Sequence, residues 1–258
     1  METLSLSYTK IKLFLVCPQH YAFYSDAKTR NRFTRPQPHL TMGSNIHGAL
    51  YDIFKLPENE RTYQKAEEFL RARWRRNRVG FKDTAEEKLF GERALRQLQL
   101  FFESQDVSVN VTHLEGFYSY RLRPDLKLIG RIDRAERSPQ GSLIITDYKT
   151  GKVKALEDKN QLLLYALIFE KNEHVAVEDV RYLYLEESKS IGFSPTRSDL
   201  AGLEAQVFDV ADEIQTTRVF DARPGLHCRE CNFLDICPKR AEVKALLDGM
   251  KSQEAEKS

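Results

Sequence analysis

The chain has 258 residues, of which 41% are hydrophobic and 10% aromatic, and its 40 Lys and Arg against 38 Asp and Glu leave a net charge of +2. That apolar fraction is too high for a disordered chain and too low for a membrane protein, and no uninterrupted apolar run of about 18 residues offers a span. Met1 to Tyr8 lack a basic stretch followed by an apolar one, so no secretory signal is expected and a cytoplasmic location is. The small net charge hides an asymmetry: residues 1–80 hold 14 Lys and Arg against 7 Asp and Glu, +7, and the remainder 26 against 31, −5. The length suits one large domain or two small ones.

Tyr8, Ile11, Phe14 and Leu15 recur at helical spacing behind Ser7, a suitable N-cap, and Pro18 interrupts or restarts that helix. Residues 25–41, with Lys28, Arg30, Arg32, Arg35, Pro36 and Pro38, read as an exposed loop. A helix begins near Ser44 and carries His47, Leu50, Tyr51 and Phe54, and two more follow at roughly 61–78 and 84–104. Near residue 106 the period changes to 2: Val107, Val109 and Val111 alternate with polar residues, then Tyr118, Tyr120 and Leu122, a half-buried strand pattern. Two further apolar segments, Lys127–Arg137 and Ser142–Thr150, flank Ser138-Pro139-Gln140-Gly141, which suits a type I turn with a glycine bulge. A helix at Gln161–Glu170, strands at Val180–Glu187 and 191–195, and a helix at about 198–218 complete an α/β or α+β core. A cysteine-bearing segment occupies 221–240, and the last eight residues read as a frayed tail. The domain boundaries expected are a helical lobe over 1–105, a core over 106–220, the cysteine segment over 221–240 and a helix or tail over 241–258, with 1–240 integrated.

The most informative stretch is Gly130-Arg-Ile-Asp133 followed by Asp147-Tyr-Lys149-Thr-Gly151. Asp147 and Lys149, two apart in a strand, share a face. A three-residue loop at 139–141 pairs Ser138 with Ser142 and so sets Asp133 opposite Asp147. Two carboxylates brought together repel, and a divalent cation such as Mg2+ resolves the repulsion while accepting substrate phosphates. A neighbouring lysine then stabilises charge on phosphorus and positions water. Asp-x-Lys alone is as well explained by a surface ion pair worth about 0–1 kcal/mol.

Taken together, Gly-Arg-Ile-Asp-Arg, the turn, and Asp-Tyr-Lys-Thr-Gly-Lys resemble the RecB-like branch of the PD-(D/E)xK nuclease superfamily, over about residues 7 to 240. The resemblance implies a restriction-endonuclease-like core, a central mixed sheet flanked by helices, and DNA phosphodiester hydrolysis. It makes Asp133 and Asp147 metal-binding and Lys149 catalytic. Gly43-Ser-Asn-Ile-His47 looks like the family's first motif, so His47 joins the metal site with the Tyr148 carbonyl, and an imidazole ligand favours Mn2+. Gln161-Leu-Leu-Leu-Tyr165 matches a Gln-xxx-Tyr motif whose members, at i and i+4, share one helix face and position the lysine and the strand. Glu115 is an accessory candidate.

Cys228-x2-Cys231-x5-Cys237 follows Cys17 by about 210 residues. The count permits three disulfide pairings, and the spacing suits zinc or an iron–sulfur cluster. The arrangement resembles the 4Fe-4S staple of the AddB-type helicase-nuclease subunits and the CRISPR-associated RecB-like exonucleases, which implies a cluster tying both chain ends together. Arg71, Arg73, Arg75, Arg76 and Arg78 surround Trp74; the arginines are candidates to grip phosphate and Trp74 to stack on a base, although such runs are commonly solvated faces. The expectation is a metal-dependent DNA exonuclease acting on single-stranded ends, in CRISPR spacer acquisition or DNA repair. The rival is a non-catalytic DNA-binding subunit of such a complex. No G-x-x-x-x-G-K-[S/T] motif is present, so a partner helicase would be a separate chain.

Overall fold

The computed structural model describes residues 3–153 and 158–255. In chain order it forms β1 (Leu4–Leu6), α1 (Tyr8–Val16), α2 (Pro18–Ser25), α3 (Ala27–Phe33), α4 (Pro38–Phe54), α5 (Tyr63–Arg76), α6 (Thr84–Ser104), β2 (Val111–Arg123), β3 (Leu126–Arg137), β4 (Leu143–Lys149), α7 (Asn160–Glu173), β5 (Val177–Tyr184), β6 (Lys189–Phe193), α8 (Arg197–Thr216) and α9 (Arg240–Ala255). Contacts divide the chain into two compact units, one of Met1–Arg35 with Ala205–Ser258 and one of Pro36–Glu204. Among the described residues, no helix is long and apolar enough to cross a membrane.

The second unit carries a mixed sheet. β2 and β4 pair antiparallel with β3, β5 runs parallel to β4, and β6 returns antiparallel on β5. The β3–β4 hairpin has the expected register, Arg137↔Leu143 through Arg134↔Thr146, and the ladder ends one step short of Asp133 and Asp147. It is set by the turn: Ser138 N–H donates to Ser142 O at 2.8 Å and Gly141 N–H to Ser138 O at 2.9 Å. Gly141 has a φ of +86°, a backbone region that glycine enters without a Cβ penalty. One face of the sheet packs on α4, α5 and α6 through a core that includes Ile46, Leu50, Leu98, Phe101, Tyr148 and Leu183. The other faces α7, whose residues Leu162 to Phe169 are all buried. Helices thus flank a mixed sheet, as the resemblance implied.

Several elements depart from the sequence reading. Residues 25–41 are not a loop. Asp26 caps α3 by accepting from Thr29 N–H at 2.7 Å, and Pro38 starts α4, where its missing N–H costs nothing. α4 therefore begins six residues before Ser44. Val107 and Val109 are not in a strand, because Arg61 Nη1 donates to both of their carbonyls, at 2.8 and 3.2 Å, in place of a ladder. The expected frayed tail is helical as far as Ala255, and residues 256–258 of it lie outside the described residues.

In the first unit, Ser7 caps α1 as expected, accepting from Lys10 N–H at 3.3 Å, and Pro18 opens α2. Phe233 is buried against the rings of His20, Phe23 and Phe33. This aromatic packing joins the N-terminal helices to the cysteine segment within that unit.

Candidate functional site

Of the sequence-predicted residues of the second unit, His47, Glu115, Asp133, Asp147, Lys149, Gln161 and Tyr165 converge at the β3–β4 junction. β4 turns Tyr148 into the helical core, which leaves Asp147 and Lys149 on the face that α7 covers. Lys149 Nζ lies 2.7 Å from Asp147 Oδ2 and donates to Gln161 Oε1 at 3.2 Å. Gln161 Nε2 donates to Tyr165 Oη at 2.7 Å, and Tyr165 donates to Asp147 Oδ1 at 3.3 Å. The four side chains close a ring of hydrogen bonds in which both oxygens of Asp147 are engaged. The helix can approach this closely because residue 130 is a glycine: a Cβ there would stand 3.0 Å from the Tyr165 ring.

Asp133 is held from two sides. Its Oδ1 lies 2.8 Å from His47 Nδ1, and its Oδ2 accepts from the Tyr148 N–H at 2.7 Å. Glu115 on β2 completes the group. Among the described residues, His47, Glu115 and Asp133 form the set of three His, Cys, Asp or Glu side chains whose ligand atoms all lie within 4.8 Å of one another. Burial and the neighbouring Asp133 push the Asp147 carboxyl up to about 6, against Lys149 and His47. Burial disfavours the His47 cation, yet Asp133, Asp147 and Glu115 together raise its pKa above the ordinary imidazole value. Burial, aided by the Asp147 charge, raises the Tyr165 phenol, which therefore stays a donor at neutral pH. An electron-rich pocket of hard oxygen donors plus one imidazole fits a small divalent ion.

The arginines of α5 lie mostly elsewhere. Arg71 pairs with Glu67 at 2.7 Å and Arg73 with Asp52 at 2.7 Å. Arg78 and the Trp74 indole both bind Glu87, and Trp74 stacks on Phe81 with centroids 5.8 Å apart. Arg75 and Arg76 are exposed.

The sequence reading missed Tyr182 on β5. Its ring lies 4.5 Å from Lys149 Nζ and its hydroxyl donates to Gln161 Oε1 at 3.3 Å. It reaches the site because β5 pairs parallel with β4, setting Tyr182 beside Asp147. Nothing local in the sequence marks that pairing, since a whole helix intervenes.

In the first unit all four cysteines line one pocket as free thiols, not disulfides, with His20, Phe23 and Phe233 around them. Arg223 N–H donates to Cys17 Sγ at 3.4 Å, His227 Nε2 lies 3.6 Å from Cys228 Sγ, and His20 Nδ1 3.9 Å from Cys231 Sγ. Burial raises the Cys228 and Cys231 thiols, and the other cysteines add to it.

A model of the PD-(D/E)XK nuclease superfamily matches residues 5–238, and the chain belongs to that superfamily. Every residue named above from Cys17 to Cys237 falls inside the matched span. The chain is 27% identical over 100 residues to the DNA replication ATP-dependent helicase/nuclease JHS1 of Arabidopsis thaliana, a match covering 35% of this chain and 8% of that protein. Its fold is similar to that of a candidate exonuclease from Eubacterium rectale, at 14% identity and a TM-score of 0.50 over 87% of each chain. The crystal structure of SSO0001 is also similar, at 16% identity and a TM-score of 0.45 over 93% of this chain and 88% of that one.

Proposed function

We propose that the chain is a divalent-metal-dependent deoxyribonuclease, working as an exonuclease on single-stranded ends. The observation that carries this reading is the closed ring of Asp147, Lys149, Gln161 and Tyr165 beside Asp133, which His47 and the Tyr148 N–H hold. A structural ion pair needs only two of these groups; the others serve to fix Lys149 and Asp147 in place. His47, Asp133, Asp147 and the Tyr148 carbonyl would hold Mg2+ or Mn2+, with Glu115 as an accessory ligand. Such an ion supplies charge neutralisation at the scissile phosphate. Lys149, tethered between Asp147 and Gln161, would orient the attacking water and offset charge building on the phosphoryl oxygens. Tyr165 and Tyr182 keep its ammonium aimed at the carboxylates. Arg75 and Arg76 are retained as candidate contacts to DNA, and Arg71 and Arg73 could join them only by leaving their acidic partners.

For the cysteines we propose a 4Fe-4S cluster. What supports this reading is that all four cysteines are free thiols lining one pocket, a donor set that suits an iron–sulfur cluster or zinc. A helicase is a suitable partner, a reading supported by the helicase/nuclease relative. A role in CRISPR adaptation rests on the cysteine arrangement alone.

The test is cleavage of end-labelled single-stranded DNA with Mn2+ by Lys149→Ala beside the unaltered chain. The variant should lose at least about 100-fold in rate and keep its DNA affinity. Undiminished cleavage by the variant would remove Lys149 from the mechanism. Binding without turnover by the unaltered chain would favour a non-catalytic DNA-binding subunit.

A further inference from the structure

Phe117 on β2 is 82% exposed, the most exposed of the large hydrophobic side chains described. It is unusually placed. Its cross-strand partner is Arg131 on β3, whose guanidinium carbon lies 5.7 Å from the Phe117 ring centroid. The same guanidinium donates to Glu115, and Glu115 belongs to the group with His47 and Asp133. An exposed aromatic ring and the carboxylate centre are therefore bridged by a single arginine.

The hairpin continues the pattern away from that centre. The next pairs facing the same way are Ser119↔Ile129 and Arg121↔Lys127. The alternate pairs, Tyr118↔Gly130 and Tyr120↔Leu128, turn to the other face, where Gly130 and Leu128 are buried and Tyr118 meets Phe169 of α7. The outward strip thus holds one exposed aromatic and three cations, and none of its six positions is acidic. Successive pairs on one face are about 6.7 Å apart, the rise of two stacked nucleotides at about 3.4 Å each. Exposed apolar surface on a cationic strip costs solubility unless something covers it, and a single nucleic-acid strand offers both bases to stack and phosphates to pair.

We infer that the outer face of the β2–β3 hairpin is the track along which a single DNA strand reaches the carboxylate centre. Phe117 stacks the base nearest the scissile phosphate, and Arg131, Arg121 and Lys127 take phosphates further along. This rests on the nuclease reading and adds to it the strand's path. Arg131 has two partners to choose from: the Glu115 carboxylate it holds now and a phosphate of the arriving strand. Binding of the strand would release Glu115 toward His47 and Asp133.

The test measures binding apart from turnover, using fluorescent oligothymidylate of about 16 nucleotides with EDTA present. Phe117→Ala should weaken binding at least about fivefold, the lower end for loss of one stacked base, while Phe117→Trp stays within about twofold of the unaltered chain. Arg121→Ala with Lys127→Ala should lower the slope of affinity against salt by about 1.4, two single-strand phosphate contacts at about 0.7 each. Phe117 is exposed, so these variants should melt with the unaltered chain. If the unaltered chain cleaves DNA but Phe117→Ala binds as tightly and the double variant keeps its salt slope, the track is wrong and the nuclease stands. If the unaltered chain neither binds nor cleaves, both fall.

Discussion

Asp147 sits where burial and charge conflict most directly. It is 5% exposed and faces Asp133, so the fold raises its carboxyl to about 6. The sign of the linkage follows from that direction. In the metal-free protein the folded chain holds a proton that the unfolded chain releases near its ordinary value of about 4. The stability this supplies is complete below that value and is lost as pH rises through about 6. With EDTA present, melting temperature should therefore fall between pH 4.5 and 7.5, and Asp147→Asn should flatten that fall. A steeper dependence in the variant would contradict the assignment. The hydroxyl of Tyr165 is worth less. Tyr165→Phe removes its donor to Asp147 and the oxygen that Gln161 donates to, so cleavage should slow by about tenfold, the scale of one hydrogen bond to a charged group. DNA affinity should hold.

At the scale of elements, the β3–α7 contact decides whether the hydrogen-bond ring around Lys149 can close. Gly130 gives the Tyr165 ring its place, and an added Cβ would stand 3.0 Å from two of that ring's atoms. Gly130→Ala should cost about 1–3 kcal/mol of stability, read as a lower denaturant midpoint, and should lower the cleavage rate by displacing Tyr165. A variant that is destabilised yet cleaves at the normal rate would separate packing from function at this position. The hairpin was legible because its evidence is local: period-2 apolar residues, a proline and glycine at fixed turn positions, and a register that follows from loop length. The stretch 25–41 was misread because its prolines and arginines look like a loop by composition, whereas Asp26 and Pro38 act as local helix starts. Tyr182 was invisible because its place beside Asp147 depends on a parallel pairing across α7, and no spacing encodes that.

For the whole molecule, the net charge of +2 conceals a basic first third and an acidic remainder that contains the carboxylate centre. The cysteines show the same separation of distant sequence and shared site. Cys17 and the triplet ending at Cys237 line one pocket of the first unit, so a bound cluster would tie its two chain segments together. The proposed cluster predicts that anaerobically purified protein absorbs in the brown, and that Cys17→Ser abolishes this absorption and lowers the melting temperature, because the free energy of binding a cluster is folding free energy. A colourless, zinc-loaded protein would overturn the cluster. The carboxylate centre lies wholly in the second unit, and its side chains were readable as types and spacings before their geometry was known; the hydrogen-bond ring that unites them was not.

The central claim is that the β3–β4 carboxylates and Lys149 form a metal-dependent phosphodiesterase, and time-resolved digestion of end-labelled single-stranded DNA tests it most directly. The unaltered chain should release nucleotides with Mn2+ or Mg2+, stop on addition of EDTA, and be silenced by Asp133→Asn as by Lys149→Ala. Cleavage that continues in EDTA, or at full rate in Asp133→Asn, would contradict it.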